Sequence, residues 1–341
     1  MVSTEHTVAR VRVHPGGTVR LERAPRPEPG AGEVLVRPVL VGICGSDTHA
    51  AAGEHPFIDL PYAPGHEAVG VVEAAGPGVT SPRPGDRVVL EPGLACGRCR
   101  RCAEGRYNIC ARLAVFGCQT DGAMGELFTI AADRLHVLPA EVGDLAAALV
   151  EPLATPVHAV RRAGVGEGSR VVVLGAGPIG LLVVAAARAA DAAEITVTDP
   201  MPAKLDRARR LGADLALPPE RAGEIAGGVD VVFDCVALES TVRQGIELLE
   251  KGGTFVVVGV PAGPVPVPLH LVQDREITVL GSLMYVREDF EAALRLVARV
   301  PVDELVSEVF PLDRAAEAFA AARDPAQVKV LVRVQLGERL L

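Results

Sequence analysis

The sequence predicts an α/β protein in which a β-rich domain is joined to a doubly wound parallel-sheet domain. Up to about Val150, short β-branched runs alternate with Gly and Pro punctuation. From Arg170 onward, apolar strands alternate with helical stretches, the pattern of βαβ units covered by helices on both faces. A length of 341 residues agrees with about two domains at roughly 150 residues each.

In the first part, residues 34–41, 68–74 and 87–90 read as strands between Pro25, Pro27, Pro29–Gly30, Pro77–Gly78 and Pro84–Gly85. In the second, the strand at 171–174 leads into a glycine turn, Gly175 to Gly180, and a helix to about Ala190. A strand at 195–198 follows, then a helix over 202–211 that Gly212 terminates in a left-handed conformation. The strand at 229–233 precedes a helix near 239–250, stopped by Gly252–Gly253. Strands are expected at 254–260 and 277–280, and the tail holds a helix (312–322) and a strand (329–335). The expected division is 1–152, completed by 298–341, and 153–297.

The composition, 49% apolar and 23% charged, suits a globular core. A formal charge of −9 argues against nucleic-acid phosphate or an acidic membrane as partner, because both need a cationic face. Residues 1–12 are charged throughout and lack the apolar stretch of a secretory signal. The uncharged run at 171–187 is shorter than the ~20 residues of a spanning helix, and Gly175, Gly177, Pro178 and Gly180 interrupt it. The expectation is a soluble cytoplasmic protein.

Seven cysteines are an odd number and a poor disulfide framework. Cys96, Cys99, Cys102 and Cys110 fall within fifteen residues. Two-residue gaps let neighbouring thiolates converge on one ion, and four sulfurs suit tetrahedral zinc. A full protein ligand set leaves no open position, so this ion is structural; an iron–sulfur cluster is the rival. Cys118 and Cys235 carry no claim to metal.

Gly175-Ala176-Gly177-Pro178-Ile179-Gly180 fits Gly-x-Gly-x-x-Gly between a strand and a helix, and Asp199 ends the next strand at the expected distance. Gly175 makes the tight turn, Gly177 lets the backbone approach a pyrophosphate, and Gly180 lets helix and strand pack closely. The helix N-terminus aims unpaired N–H groups at phosphates. Asp199 would accept hydrogen bonds from both adenosine ribose hydroxyls and repel a 2′-phosphate. Pro200 follows it where an arginine would favour NADP, so NAD is expected, with Arg207 and Arg209 nearby as the counter-signal. Lys204 could flank the adenosine.

A second donor set precedes the four-cysteine lobe: Cys44-Gly45-Ser46-Asp47-Thr48-His49, then Gly65-His66-Glu67. One thiolate, one imidazole and one carboxylate can hold zinc and leave a position open for water or substrate.

Cys44-Gly45-Ser46-Asp47, the run Gly65-His66-Glu67-x-x-Gly70-x5-Gly76, Gly85-Asp86-Arg87-Val88 and the four-cysteine lobe resemble the medium-chain zinc-dependent alcohol dehydrogenase family over essentially the whole chain. The resemblance implies a GroES-like catalytic domain, partly completed by the C-terminus, around a Rossmann domain. Glu151-Pro152-Leu153 stands where the alcohol dehydrogenases carry a second zinc cysteine and resembles the sorbitol and polyol branch, as do Glu91-Pro92-Gly93 and Arg106-Tyr107-Asn108-Ile109-Cys110. Retention of all four lobe cysteines is more similar to bacterial polyol and sugar-acid members. Implied metal ligands are Cys44, His66 and either Glu67 or Glu151, giving two zincs per chain, one catalytic and one structural.

The implied reaction is oxidation of a secondary alcohol to a ketone, with zinc acidifying the hydroxyl and NAD taking the hydride. Ser46 would pass the proton toward the cofactor ribose and His49 would be the outer end of the relay, with Glu151 as the competing base. Asp47 would orient His66 through its second ring nitrogen. Phe57, Phe116 and Tyr285 fall near places that line the pocket in relatives, and Arg287 would meet a substrate carboxylate. The alternatives are a threonine-type amino-alcohol dehydrogenase and a non-catalytic NAD-binding protein with structural zinc. The strand at 277–280, if at the sheet edge, would need covering by a second copy, which predicts a homodimer or homotetramer.

Overall fold

The computed structural model describes residues 6–225 and 227–334. One compact unit runs to Glu151 and resumes at Val306; the other is Pro152–Leu305.

The first unit is built on a seven-stranded sheet whose main path runs Val306–Pro311, Lys329–Arg333, Glu33–Ile43, Glu67–Ala75, Arg87–Leu90, Leu135–Val137. Glu33–Ile43 is its centre: it pairs antiparallel with Lys329–Arg333, Glu67–Ala75 and Phe128–Ala131. Being covered on both sides, it is buried along nearly its whole length. Val34, Val36 and Val41 pack with Leu90, Met124, Val330 and Val332 in the core. This strand ends at Ile43 and delivers Cys44 to the start of the helix Gly45–Ala51. The neighbouring strand begins at Glu67, so His66 and Glu67 emerge beside it.

The second unit is a six-stranded sheet in the order Leu215–Leu217, Glu194–Thr198, Arg170–Leu174, Val229–Asp234, Leu249–Val257, Thr278–Gly281, parallel at every pairing. Successive strands leave Arg170–Leu174 first on one side and then on the other. The carboxyl end of that strand is therefore the switch point where α/β sheets bind ligands, and the glycine turn lies there.

Three local expectations are corrected. The helix expected over 239–250 ends at Leu248, and Gly252–Gly253 lies inside the strand Leu249–Val257 rather than stopping a helix. Its φ of +83° at Gly252 belongs to an irregularity where Val229 pairs with Leu249 and Val231 with Thr254. The tail helix opens with a 3-10 turn, Leu312–Arg314, before Ala315–Ala321, and the last strand is Lys329–Arg333, the expected Gln335 lying outside the described residues. The return to the first unit falls at Val306 rather than residue 298, because Val297, Val300 and Leu305 are buried in the second unit and Arg210 bonds Glu304 there.

Candidate active site

In the first unit, Cys44, His66 and Glu67 each bring one donor atom into a group whose members lie within 4.8 Å of one another. His66 is 5% exposed and Glu67 1%. A thiolate, an imidazole and a carboxylate are the donor set zinc takes in open catalytic sites, so the residues fit that ion.

Asp47 organises the group. Its Oδ2 accepts the Cys44 backbone N–H at 3.0 Å, fixing the entry to the Gly45–Ala51 helix, and Tyr62 donates its hydroxyl to Oδ1 at 2.9 Å. The carboxylate lies 3.9 Å from His66 Nδ1, beyond hydrogen-bond range but within strong electrostatic reach. The atom that touches Nδ1 is Cys118 Sγ, at 3.7 Å. Burial pulls the His66 imidazole down, yet the Asp47 charge and the Cys118 and Cys44 sulfurs carry it well above the ordinary histidine range. Burial raises the Asp47 carboxyl, with His66 opposing.

Glu67 is held from the other side by Lys329, whose Nζ donates to Oε1 at 2.7 Å, to Oε2 at 2.8 Å and to the Ile43 carbonyl at 3.3 Å. Gly42 makes room: a Cβ there would stand 2.0 Å from Glu67 Oε2. Burial would lower the Lys329 ammonium, but Glu67 and Cys44 hold it above its usual range. Removing one member of a buried pair strands the other charge. Lys329→Met is therefore expected to lose about 3 kcal/mol or more of stability in urea unfolding, much of it regained in Lys329→Met/Glu67→Gln. Equal stability of the two variants would contradict this. Glu151, the alternative ligand, is 9% exposed in the first turn of the helix Val150–Ala163. It acts electrostatically on Lys329 but lies outside the three-donor group.

The four lobe cysteines form a second group of converging donors. Cys99 Sγ is 3.5 Å from Cys102 Sγ and 3.9 Å from Cys110 Sγ, and Cys110 Sγ accepts the N–H groups of Cys96 and Arg112 at 3.3 Å. N–H donors favour thiolate: hydrogen bonding, from the Arg98 backbone first, brings Cys96 down to about 6. Burial and the neighbouring thiols push Cys102 up to about 11. The lobe is tied to the sheet through Glu91, 1% exposed, which accepts from Tyr107 Oη at 2.7 Å, pairs with His136 Nε2 at 2.8 Å and accepts from Arg134 at 3.2 Å. Although burial raises Glu91, these three partners hold it below the carboxylate range. Cys110→Ser is expected to lose one zinc per chain and lower the Tm by about 5 °C or more. An unchanged metal content would contradict the assignment.

In the second unit, Gly175 has φ +92°, and a Cβ at Gly180 would meet the Gly175 carbonyl oxygen at 1.8 Å, which explains both glycines. Gly177 caps the helix Pro178–Ala189, with Pro178 and Ile179 in its first turn. Asp199, 6% exposed, accepts Ala176 N–H on Oδ2 and Met201 N–H on Oδ1, both at 2.8 Å. Its carboxylate is thereby fixed against the glycine turn. Lys204 is half-buried on the helix Pro202–Arg210.

The remaining expected residues take varied positions within their own units. Ser46 is half-buried in the helix after Cys44; His49 is exposed, with Nδ1 3.5 Å from Glu54. Phe57 is 73% exposed on the wall of a cavity of about 260 Å³ that also includes Tyr62, Cys118 and Gln119. Phe116 is not on that wall: it is 7% exposed, packed 5.4 Å from the Phe128 ring in the core. Tyr285 is 2% exposed in the second unit, its ring 5.6 Å from Phe290, and Arg287 begins the helix Arg287–Leu296. Phe116 and Tyr285, expected near substrate, are thus buried, each beside an aromatic ring of its own unit. Tyr62, Cys118 and Lys329 were not singled out as partners of the donor group. Lys329 opens an apolar strand, a visible oddity, but its partner lies 262 residues away.

Residues 30–140 match the alcohol dehydrogenase GroES-like domain and residues 178–299 the zinc-binding dehydrogenase domain. The chain is 37% identical to sorbitol dehydrogenase of Macaca fascicularis over 340 residues, 94% of each chain. Among solved structures, 2R,3R-butanediol dehydrogenase from Bacillus subtilis superposes with a TM-score of 0.89 at 32% identity, covering 96% of this chain and 99% of that one. A zinc-binding dehydrogenase of Sinorhizobium meliloti 1021 bound to NADP gives 0.90 at 33% identity, covering 96% and 99%.

Proposed function

The chain belongs to the zinc-dependent medium-chain alcohol dehydrogenase family, and from that premise we propose that it oxidises a secondary hydroxyl of a polyol or sugar-derived alcohol to a ketone, with NAD as acceptor. The observation that carries the reading is the convergence of Cys44, His66 and Glu67 on one point. The identities to sorbitol dehydrogenase and butanediol dehydrogenase support the polyol class.

Zinc held by Cys44 and His66, with Glu67 or Glu151, would supply Lewis-acid polarisation that acidifies the alcohol hydroxyl. The protein's own residues do the rest. Asp47 fixes the Cys44 backbone and supplies the charge beside His66 Nδ1, which Cys118 Sγ contacts. Lys329 keeps the Glu67 carboxylate in place. Ser46 would accept the alcohol proton as its own hydroxyl proton passes outward, and His49, exposed on the same short helix, would be the outer end that releases a proton to water.

NAD is favoured over NADP because Asp199 is locked toward the glycine turn by two backbone donors. Arg209 is occupied by Asp206 and the Ala216 carbonyl, so it is committed away from a 2′-phosphate. Assembly as a homodimer or homotetramer is supported by Thr278–Gly281, the last strand of its sheet, where Val279 is 45% exposed. A cytoplasmic location is supported by the four-thiol lobe, which a reducing compartment preserves. No described helix is long and apolar enough to cross a membrane.

A panel of polyols, aldonates and threonine with NAD tests the reading. Turnover of polyols is expected. Turnover of threonine alone would favour the amino-alcohol alternative, and no turnover of any alcohol would overturn the proposal.

A further inference from the structure

The cavity beside His66 has two walls, residues 57–63 and residues 118–121. It lies one side chain from the donor group: Cys118 Sγ on one wall reaches His66 Nδ1 at 3.7 Å, and Tyr62 on the other bonds Asp47 at 2.9 Å. The two walls are joined differently at their two ends. At the inner end the join is backbone: Gly122 N–H donates to Ala63 O at 3.0 Å and Met124 N–H to Pro64 O at 3.0 Å. At the outer end it is one side chain. Gln119 Nε2 donates to the Phe57 carbonyl at 2.7 Å. Gln119 Oε1 accepts Val115 N–H at 2.8 Å, and the Gln119 N–H donates to Val115 O at 3.1 Å. The clasp is thus anchored on Ala114–Val115, which pairs with Gly93–Leu94. Phe57 is 73% exposed, so packing of its own ring does not fix that wall.

The chemistry of the lining is one-sided. No lining residue is a cation. Asp121 is paired with Arg10 and Arg12, whereas Asp59 has no ion pair among the described residues. Thr120 and Gln119 add a hydroxyl and an amide, and Phe57 adds an aromatic face. The carboxylate and the neutral polar groups accept hydrogen bonds from hydroxyls, and the unpaired Asp59 carboxylate repels an anion.

Resting on the reading of this chain as a polyol oxidoreductase, we propose that Gln119 is a positioning residue. It sets the width of a subsite for the uncharged, hydroxylated carbons beyond the reacting one. The subsite takes a neutral polyol chain and discriminates against aldonates and sugar phosphates, unlike the sugar acid that Arg287 suggested from sequence.

Gln119→Ala and Gln119→Glu test it in the full-length, zinc-loaded enzyme. Gln119 is exposed, so both variants keep the fold; the glutamate retains the Val115 acceptor but no longer donates to Phe57 O. Loss of one hydrogen bond predicts a KM for a six-carbon polyol raised about tenfold in both. The kcat should stay within about twofold and the KM for a four-carbon diol nearly unchanged. Backbone amide exchange over residues 57–60 should quicken in both variants, a readout that needs no turnover. Unchanged exchange, or kcat and KM moving together for both substrates, would overturn the role of Gln119. Wild-type enzyme using an aldonate as well as the matching polyol would overturn the charge selection. If no alcohol is oxidised at all, the functional proposal falls, and the exchange measurement still decides the clasp.

Discussion

His66→Ala is expected to lower kcat/KM about a thousandfold and to halve the zinc content from two ions per chain to one. The size follows from the role: a metal Lewis acid is worth several kcal/mol of charge stabilisation, at about 1.4 kcal/mol per factor of ten. Cys44 and Glu67 remain after the substitution, but two donors from a three-donor group hold zinc weakly. Cys110→Ser makes the instructive comparison. It too loses one zinc, yet from a closed four-sulfur set, so its cost falls on stability rather than on the chemical step. A binding protein with only a structural ion would lose no metal in His66→Ala, and Cys110→Ser alone would then change the zinc content.

The second large effect concerns the cofactor. Asp199→Gly is expected to raise the KM for NAD about a hundredfold and to bring NADP to parity or better. Hydrogen bonds to a charged acceptor are each worth about 1.5–3 kcal/mol, and Asp199 would make two to the adenosine ribose while repelling a 2′-phosphate. The carboxylate also accepts Ala176 and Met201 N–H groups, so part of the loss is looser glycine-turn geometry. That part affects both cofactors equally, and the NAD/NADP ratio isolates the remainder. Adding Pro200→Arg should strengthen the switch by supplying the cation the native turn lacks. A ratio unmoved by Asp199→Gly would place cofactor choice elsewhere, with Arg207 the first candidate.

What could be read from the chain divides along a physical line. Local chemistry was legible. The glycine turn, the two-residue cysteine gaps and the Cys44 and His66-Glu67 runs are short-range patterns, because each encodes a backbone shape or a chelate spacing. The long-range partners were not. Lys329 reaches Glu67 only because the C-terminal strand pairs with Glu33–Ile43 in the first unit, and no periodicity announces that. Cys118 and Tyr62 meet His66 and Asp47 through loops whose paths turn chemistry does not fix. The errors have the same origin. Gly252–Gly253 is a helix stop on local rules, but pairing of Val229 with Leu249 draws it into a strand. Phe116 and Tyr285 were placed by resemblance, and their burial beside Phe128 and Phe290 could not be read from local pattern either.

The most direct test of the central claim is NADH formation from a polyol panel, followed before and after chelator treatment that strips the labile zinc and again after zinc is restored. Polyol-dependent NADH formation is expected to disappear on chelation and return with zinc, while the lobe ion stays bound throughout. Undiminished turnover by protein retaining only its lobe ion would contradict it.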